Sequence, residues 1–428
     1  MSLPTISLEK RKTTFDEVNI GFTKEQAIEE ANRCLQCKNP KCVQGCPANV
    51  LIPDFIKAFR EGDIEKAAKI IRIKNRFPSI CGRICQHEKQ CEGNCIFAPA
   101  GKAIAIGGLE RYIGDNATYP KKKKTNGKKI AVIGSGPSGL TVAANLSLKG
   151  FNVTVFERTH ALGGVIKYGV PEFRLPKEVV GKELRALHNL GIDFEPDAKI
   201  SDEYIKKIAK EFDAVFLGTG VGFARKLEVE GSQLKGIIPA MKFLVHLNQS
   251  DMPLINENDN VVVVGAGYVG IDAARSAIRL GAKKVSCITV SSREDAEKGV
   301  SKKDYREAEE EGVEFLFGLT VDKFESKDGE KVSLVHYKNG IDGIIKADKV
   351  IVAIGQIQDE DDFKQPLRDK KNGMVKVNSN HKTRMKNVFA AGDCVHGPKT
   401  VIQAIAMGRD AAKEMYEFLE TKEINNTV

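Results

Sequence analysis

The amino-acid sequence predicts an α/β protein in which a helical, cysteine-rich N-terminal domain precedes two Rossmann-like domains. Three observations lead to this prediction. Eight of the ten cysteines lie between Cys34 and Cys95. Two glycine-rich segments, at residues 134–139 and 265–270, each follow a short apolar run and precede a longer stretch with helical periodicity. The chain has 428 residues, which suggests about three domains at roughly 150 residues each.

The first domain is predicted to span residues 1–126 and to consist of short helices. Thr23 and Gln26 form a capping-box pair at the start of one helix. Pro53 is suited to the first turn of a second helix, and Asp63 can cap a third. Helices this short bury little apolar surface. We therefore expect the groups bound by the cysteines to hold the domain together.

The clustered cysteines occur in two groups. The first group is Cys34-x2-Cys37-x4-Cys42-x3-Cys46-Pro47, and the second is Cys81-x3-Cys85-x5-Cys91-x3-Cys95. Short loops of this kind wrap thiolates around four-iron clusters, and eight thiols suffice for two of them. Zinc is the alternative, although only one Cys-x2-Cys pair is present. In a long chain without a signal peptide, metal thiolates in a reducing compartment are expected rather than disulfides.

The rest of the chain alternates short apolar strands with helices, as parallel α/β units do. The predicted strands are Lys129–Ile133, Val153–Glu157, Ala214–Gly218, Val261–Val264, Val285–Val290, Val350–Gly355 and Val388–Gly392. The two glycine-rich units repeat one pattern and predict two interleaved nucleotide-binding domains. We expect the FAD-binding domain at residues 127–250 and 365–428, and the NAD(P)H-binding domain at residues 251–364.

The first glycine-rich segment comprises Gly134, Ser135, Gly136, Pro137, Ser138 and Gly139. Its glycines allow a pyrophosphate to approach the N–H groups of the following helix, and Glu157 can accept hydrogen bonds from a ribose. A second motif, Gly392-Asp393, suits the ribityl chain of FAD. A helix that begins near Thr400 and Val401 can point its positive end at the flavin. Together these features predict FAD.

The second glycine-rich segment is predicted to hold the pyridine nucleotide. Its candidate residues are Gly265, Gly267, Tyr268, Val269 and Gly270. About twenty residues further along, where NAD sites carry an acid, the sequence has Ser291, Ser292 and Arg293. Because no carboxylate there would repel a 2′-phosphate, we expect NADP(H), with NAD(H) as the alternative. No Cys-x2-Cys pair follows in this domain, which argues against a redox-disulfide mechanism.

Composition limits the classes of function. The net charge is +9 and includes the block Lys121–Lys124, for which a solvated linker is expected rather than a nucleic-acid site. The surplus of lysine suits docking of an acidic electron-carrier protein. No apolar run is long enough to span a bilayer, and no signal sequence is recognisable. We therefore expect a soluble, cytoplasmic protein.

Three segments between residues 15 and 114 carry a family resemblance: AIEEANRCLQCKNPKCVQGCPANVLIPDFI, CGRICQHEKQCEGNC and AIGGLERYI. They resemble the N-terminal domain of the glutamate synthase small-subunit family, which includes the large subunit of NADH-dependent ferredoxin:NADP oxidoreductase. The resemblance continues through LGGVIKYGVPEFRLPK and FLGTG. In the flavin domain it adds the candidate cofactor-binding residues Arg158, Gly163, Gly164, Val165, Arg174, Thr219 and Gly220.

The same resemblance implies ligand sets for two 4Fe–4S clusters. The implied ligands of one cluster are Cys34, Cys37, Cys42 and Cys95. Those of the other are Cys46, Cys85, Cys91 and the carboxylate of Glu110. Cys81 would then be a spare, buried thiol. A carboxylate is a harder ligand than a thiolate and would change the potential of its cluster.

The resemblance implies an oxidoreductase that accepts hydride from NADPH onto FAD and relays single electrons through two 4Fe–4S clusters to a partner. The partner would be a glutamate synthase large subunit, a second flavoprotein or a ferredoxin, so a hetero-oligomer is expected. No side chain is predicted to act as an acid, base or nucleophile, since the cofactors carry the chemistry. The alternative from another class is a zinc-stabilised nucleotide-binding scaffold without redox activity.

Overall fold

The computed structural model describes residues 3–121, 124–250, 252–339, 342–358, 367–369 and 373–426, with side chains to residue 421. The N-terminal helices are α1 (Leu8–Thr13), α2 (Lys24–Asn32), α3 (Lys41–Gly45), α4 (Ile52–Arg60), α5 (Ile64–Lys74), α6 (Pro78–Ile84) and α7 (Ile106–Asn116). Short 3-10 helices cover His87–Lys89 and Ala98–Ala100. The predicted capping box is confirmed: the Gln26 N–H lies 3.3 Å from Thr23 Oγ1, and the Thr23 N–H lies 3.0 Å from Gln26 Oε1.

The first nucleotide-binding domain begins with alternating strands and helices. Its elements are β1 (Lys129–Ile133), α8 (Pro137–Ser147), β2 (Asn152–Phe156), α9 (Val165–Tyr168), α10 (Lys177–Asn189), β3 (Asp193–Glu195), α11 (Asp202–Glu211) and β4 (Ala214–Leu217), followed by the short strand β5 (Phe223–Ala224). Four residues of β1 are buried, as expected of a strand with helices on both faces of its sheet. Lys122 and Lys123 of the predicted linker lie outside the described residues.

The second domain follows β5. Its elements are β6 (Ile237–Pro239), α12 (Ala240–Gln249), β7 (Asn260–Val264), α13 (Tyr268–Arg279), β8 (Lys284–Thr289), α14 (Arg293–Gly299), α15 (Lys302–Glu311), β9 (Val313–Phe317), β10 (Thr320–Glu325), β11 (Leu334–Lys338), β12 (Gly343–Lys346) and β13 (Lys349–Val352). The parallel sheet has the order β6-β13-β7-β8-β9, and β10, β11 and β12 form an antiparallel sheet beside it.

The chain then returns to the first domain. The returning elements are β14 (Gln356–Ile357), β15 (Val388–Ala390), α16 (Asp393–His396) and α17 (Val401–Asn426). Strand β15 completes a parallel sheet of order β15-β4-β1-β2-β3, and α17 packs along α8. The two interleaved Rossmann-like domains predicted from the sequence are therefore present. Within the described residues, no helix combines the length and apolarity needed to cross a lipid bilayer.

The sheet pairings correct one predicted domain boundary. Strand β6 pairs with β13, and α12 contributes Phe243 and Leu244 to the core of the second domain. The second domain therefore begins well before residue 251, and the chain crosses into it at β5. Strand β5 pairs with β14, so the outward and return crossings form one antiparallel ribbon. The other predicted boundary, between residues 364 and 365, lies outside the described residues.

The N-terminal segment fastens the second domain to the rest of the molecule. Helix α1 packs against α13 and α15, and Arg279 Nε donates to the carbonyl of Thr14 at 3.1 Å. Arg279 and Arg275 in turn both bind the buried carboxylate of Glu311, at 2.6 Å each. The Arg279 guanidinium stacks on the Phe173 ring, 3.8 Å from its centroid. This buried ion-pair network joins the start of the chain, the flavin domain and the second domain.

Replacing Glu311 by glutamine is expected to lower the free energy of unfolding by about 3–5 kcal/mol, because two buried guanidinium groups lose the carboxylate that they share and Arg275 keeps only its pair with Glu307. Burial alone raises the pKa of Glu311, but hydrogen bonds from Arg275 and Arg279 outweigh it and leave the pKa below its ordinary value of 4.5. The stabilisation is therefore present above that value and is lost as the pH falls through the lower folded pKa. Urea unfolding at neutral and acid pH measures both effects.

The matched control is Glu310→Gln, on the same helix. Glu310 is an exposed carboxylate that pairs with Arg11 at 3.0 Å. Exposed pairs contribute about 1 kcal/mol or less, so this variant should unfold almost as the parent does. Equal losses in the two variants would show that the buried network does not carry the predicted stability.

Candidate cofactor sites

The first glycine-rich loop, between β1 and α8, combines two closely packed glycines with one that leaves open space. A Cβ on Gly139 would lie 2.0 Å from the carbonyl oxygen of Gly134, and one on Gly134 would lie 2.5 Å from that of Gly218. A Cβ on Gly136, in contrast, would meet nothing nearer than 3.8 Å. This is the division of roles in a dinucleotide site, where one glycine admits the pyrophosphate and another lets helix and strand pack closely.

Glu157 directly follows β2, which ends one residue earlier than predicted, and is held against this loop. Its carboxylate accepts hydrogen bonds from the Ser135 N–H at 2.9 Å and the Ser135 hydroxyl at 2.6 Å. Thr159 N–H donates to its other oxygen at 3.0 Å. The Ser135 hydroxyl also accepts from the N–H of Gly163 at 2.9 Å. The loop, the acid and the Gly163-Gly164 segment therefore form one connected surface.

The returning chain closes the same site. A Cβ on Gly392 would lie 2.7 Å from Ser138 Oγ, and one on Gly164 would lie 3.1 Å from Gly136 Cα. Asp393 follows at the start of α16, and burial raises its pKa to about 6. Thr400 accepts a hydrogen bond from the Gln403 N–H at 3.4 Å, just before Val401 begins α17. Segments more than two hundred residues apart are thus brought to one glycine loop.

Four further flavin-domain candidates lie around this site. Thr219 and Gly220 follow β4 and have their backbone N–H groups beside the thiol of Cys394. Burial raises the pKa of Cys394 to about 12, and this thiol packs in the core of the flavin domain. The Arg158 guanidinium lies 5.9 Å from the centroid of the Phe223 ring, in β5. Val165 is the first residue of α9 and follows Gly164 directly.

The second glycine-rich loop, between β7 and α13, repeats the arrangement of the first. A Cβ on Gly270 would lie 1.9 Å from the Gly265 carbonyl oxygen, and one on Gly265 would lie 2.4 Å from that of Ala353. A Cβ on Gly267 would meet nothing within 4 Å. Tyr268 and Val269 open α13, and the Tyr268 hydroxyl accepts from the Ser301 N–H at 3.1 Å. The repeated glycine pattern in the sequence therefore corresponds to the same backbone geometry in both loops.

Two candidate arginines are engaged by carboxylates of the second domain. Arg174 Nη1 donates to Asp272 at 2.8 Å and its guanidinium lies over the ring of Tyr268, so it bridges the two nucleotide-binding domains. Arg293 Nη1 lies 2.5 Å from Glu309, and its Nε lies 2.9 Å from Glu297. Glu297 is a local partner, one helical turn from Arg293, whereas Asp272 and Glu309 come from other elements and had no local signal in the sequence.

The four cysteines of the first implied set are close together and half-buried. They are Cys34, Cys37, Cys42 and Cys95. Burial raises the pKa of Cys42 to about 11, and repulsion from the thiolates of the other three adds to the effect. A thiol with a raised pKa, such as that of Cys42, does not readily ionise beside other thiolates. A bound cation is the simplest compensation, because thiolates bind iron.

The second implied set surrounds a buried cavity. Its lining includes Cys46, Cys85, Cys91, Glu110 and His87, together with Ile402 from the first turn of α17. Glu110 is 7% exposed, and burial raises the pKa of its carboxyl group to about 7. The carboxylate accepts one hydrogen bond, from Asn75 Nδ2 at 2.8 Å. Three thiols and one buried carboxylate facing a common space fit the donor set of an iron–sulfur cluster.

Cys81 lies next to this set. Its thiol is fully buried, lies 3.6 Å from Asn75 Oδ1 and is hydrogen-bonded to Cys85, and Asn75 also donates to Glu110. In the described part of the chain, no three His, Cys, Asp or Glu side chains are close enough to hold a single metal ion.

Comparisons with known proteins agree with this division of the chain. Residues 11–122 match the family described as dihydropyrimidine dehydrogenase domain II, 4Fe-4S cluster, and residues 128–408 match the pyridine nucleotide-disulphide oxidoreductase family. The NADPH-bound structure of FprA from Mycobacterium tuberculosis has the same two-dinucleotide fold. It has a TM-score of 0.57 and 17% identity, over 70% of this chain and 86% of that one.

Curated relatives are similar over nearly the whole chain. The glutamate synthase [NADPH] small chain of Azospirillum brasilense is 34% identical, over 96% of this chain and 93% of the relative. The NAD-dependent dihydropyrimidine dehydrogenase subunit PreT of Escherichia coli O157:H7 is 33% identical, over 95% and 97%. These matches confirm the predicted 4Fe–4S domain and the paired FAD and NAD(P) domains. The chain belongs to the glutamate synthase small-subunit family of NAD(P)H-dependent FAD and iron–sulfur oxidoreductases.

Proposed function

We propose that this protein accepts hydride from NADPH onto FAD and relays single electrons through two 4Fe–4S clusters to a separate protein partner. The observation that carries the proposal is the position of Ile402. This residue lies in the first turn of α17, next to the predicted flavin-binding residues Thr400 and Val401, and it also lines the cavity of Cys46, Cys85 and Cys91. One helical turn thus joins the flavin site to a cluster site.

Each site is assigned to the residues predicted for it. FAD would be held by the loop Gly134–Gly139, with Glu157 at the ribose and the Gly392-Asp393 motif at the ribityl chain. The pyridine nucleotide would lie on the loop that contains Gly267. One cluster would be bound by Cys34, Cys37, Cys42 and Cys95, and the other by Cys46, Cys85, Cys91 and Glu110.

The chain's own residues have positioning roles in this scheme. When bound, FAD can take up two electrons together from a nicotinamide and release them one at a time to a cluster. Apolar side chains, including Ile52, Phe55, Ile106 and Ile402, line the second cluster site and exclude water from it. Asn75 orients the Glu110 carboxylate toward the thiols. Arg174 holds the two nucleotide-binding domains in register through Asp272.

The partner is proposed from the relatives. A glutamate synthase small chain and a dihydropyrimidine dehydrogenase subunit are both, by name, parts of larger enzymes. We therefore propose a hetero-oligomer in which this protein supplies electrons to, or receives them from, a second subunit, another flavoprotein or a ferredoxin. All ten cysteines are free thiols, which supports a reducing, cytoplasmic location.

Anaerobic reduction of the purified holoprotein tests the central claim. NADPH should bleach the visible absorption of the flavin, and electron paramagnetic resonance should then detect reduced clusters. Co-purification from native cell extract, followed by turnover of the recovered complex with glutamine and 2-oxoglutarate or with a ferredoxin, would identify the acceptor. A yellow protein that NADPH bleaches but that never passes electrons to its clusters would contradict the proposed relay.

Arg293 is proposed as the residue that recognises the 2′-phosphate of NADPH. Its side chain is 47% exposed, so its pairs with Glu297 and Glu309 are weak and can exchange for a phosphate. Replacing Arg293 by alanine should lower kcat/KM for NADPH by about 10- to 100-fold, because one or two charge-assisted hydrogen bonds are lost. The value for NADH should stay the same.

Glu309→Gln provides the opposite test. Removing the competing carboxylate should free Arg293 and raise the ratio of kcat/KM for NADPH over NADH several-fold. Steady-state kinetics with both nucleotides, on the parent and the two variants, measures the ratio. A parent that prefers NADH, with an Arg293→Ala variant that keeps the same ratio, would overturn the assignment to NADPH.

A further inference from the structure

Two large apolar side chains stand exposed beside the first cysteine set. Leu35 is 61% exposed and Ile96 is 63% exposed. Each directly follows one of the proposed ligands, Cys34 or Cys95, and the two loops meet where Arg33 donates to the carbonyl of Lys102 at 2.5 Å. Leu35 and Ile96 therefore mark one place on the surface, at the edge of this set.

The loops that carry these side chains are basic. Residues 31–53 and 93–103 contain no aspartate or glutamate. Lys38, Lys41 and Lys102 are exposed and form no ion pair within the described residues. Arg60 donates to the carbonyl of Cys34 at 3.2 Å and so brings another exposed cation to the same loop.

The two loops are tied together at this surface. Arg33 pairs with the buried Glu30 at 2.6 Å and also donates to the carbonyl of Lys102 at 2.5 Å. Arg33 is thus neutralised, while Lys102 is held near the loop of Cys34. Leu35 and Ile96 therefore share their two loops with exposed lysines that form no ion pair within the described residues.

The two cysteine sets differ in their access to solvent. Cys46 and Cys91 of the second set are buried, and the cavity that they line is closed on one side by Ile402 of α17. Cys34, Cys37, Cys42 and Cys95 of the first set are half-buried. The second set therefore faces the flavin domain, and the first set faces the outside.

We propose that Leu35, Ile96, Lys38, Lys41, Lys102 and Arg60 form a docking surface for an acidic protein that carries a one-electron centre. The proposal rests on the function proposed above and names the place where electrons leave or enter. The apolar pair would supply the desolvated contact, and the lysines would attract the partner and orient it. Per turnover, one NAD(P)H yields NAD(P)⁺, a proton and two electrons, which reduce two oxidised partner molecules by one electron each. The reverse reaction balances in the same way.

The test uses the holoprotein and a purified acidic [2Fe–2S] ferredoxin as the probe. Isothermal titration calorimetry at low and at physiological ionic strength should show binding that weakens with salt. The double variant Lys38→Glu/Lys41→Glu and the single variant Lys102→Glu should each raise the Kd by about tenfold or more at low salt. Leu35→Ser/Ile96→Ser should raise it by about tenfold without changing its salt dependence.

The control is Lys206→Glu/Lys210→Glu, two exposed lysines on α11 of the flavin domain. It changes the net charge as much as the lysine double variant does, so equal weakening would show that only overall charge matters and would overturn the proposal. Lys102 adjoins no cysteine, so its variant remains informative if changes at Lys38 and Lys41 lower the iron content. An unchanged Kd for Lys102→Glu and for Leu35→Ser/Ile96→Ser would also overturn it.

Two further readouts separate the docking surface from the proposed function. The rate at which NAD(P)H bleaches the flavin reports hydride transfer without any partner, so failure there concerns the function and not the surface. Sedimentation velocity of the holoprotein alone reports self-association. Loss of a homodimer in Leu35→Ser/Ile96→Ser, or no binding of the ferredoxin by the parent at low salt, would overturn the proposed acidic partner.

Discussion

Replacing Cys46 by alanine is expected to remove about half of the iron and inorganic sulfide from the holoprotein, since one of two four-iron clusters loses a ligand. Electron transfer to a protein partner should fall by about 100-fold or more. Bleaching of the flavin by NAD(P)H should remain, because the glycine loops are separate from the cysteine set. Iron and sulfide analysis, partner reduction and stopped-flow absorbance measure the three outcomes.

The neighbouring residues sharpen this test. Glu110→Ala should lose the same cluster as Cys46→Ala, since the buried carboxylate faces the same cavity. Cys81→Ala should keep both clusters, because this thiol is not among the residues that line that cavity. The reverse pattern, with iron lost in Cys81→Ala and retained in Glu110→Ala, would make Cys81 the fourth ligand.

Alanine at Gly136 is expected to leave a folded apoprotein that binds FAD about 10- to 100-fold more weakly, from the loss of hydrogen bonds to a charged pyrophosphate. Gly136 has φ −69° and ψ 175°, which alanine adopts freely, and the added Cβ meets no protein atom closer than 3.8 Å. In the proposed FAD site, the added Cβ would fill the space through which the pyrophosphate approaches the loop. Fluorescence titration of the apoprotein with FAD measures the affinity.

Alanine at Gly139 should act differently although it lies in the same motif. Its Cβ would lie 2.0 Å from the Gly134 carbonyl oxygen, so α8 must move away from β1. Overpacking of this kind costs about 1–3 kcal/mol, and we expect the apoprotein itself to lose stability. A Gly136→Ala variant that destabilises the apoprotein as much as Gly139→Ala does would contradict the assignment of Gly136 to the ligand.

The second loop repeats the test with another ligand. Gly267→Ala should raise KM for the pyridine nucleotide without loss of FAD, since a Cβ there meets no atom within 4 Å. Gly270→Ala should destabilise the second domain, because its Cβ would lie 1.9 Å from the Gly265 carbonyl oxygen. If the variants of the second loop behave as those of the first do, both loops bind a dinucleotide through the same geometry.

Much of the fold was predictable because strands and glycine loops are encoded locally. The strand predicted at Lys129–Ile133 has those bounds, and the strand predicted at Val261–Val264 begins one residue earlier, at Asn260. In both cases, a short apolar run before a glycine-rich turn is a local signal that needs no distant contact. The same holds for the helix cap at Thr23, where the side chain binds the backbone three residues away.

The domain boundary shows where local signals end. Residues 237–249 form a strand and a helix between the two glycine motifs, and nothing in their sequence says which sheet the strand joins. The pairing of β6 with β13, more than a hundred residues away, assigns them to the second domain. Which pairing forms depends on the packing of the whole sheet and not on the strand alone.

The sequence by itself determined the types of group that this protein presents: clustered thiols for iron, two glycine loops for dinucleotides, and acids at the ends of strands. The tertiary structure alone decided which of these groups meet. It placed Ile402 between the flavin site and the second cysteine set, committed Arg174 to Asp272, and left Leu35 and Ile96 exposed. The physical reason is that residue type and spacing control local conformation, whereas contacts between distant segments arise only when the domains pack.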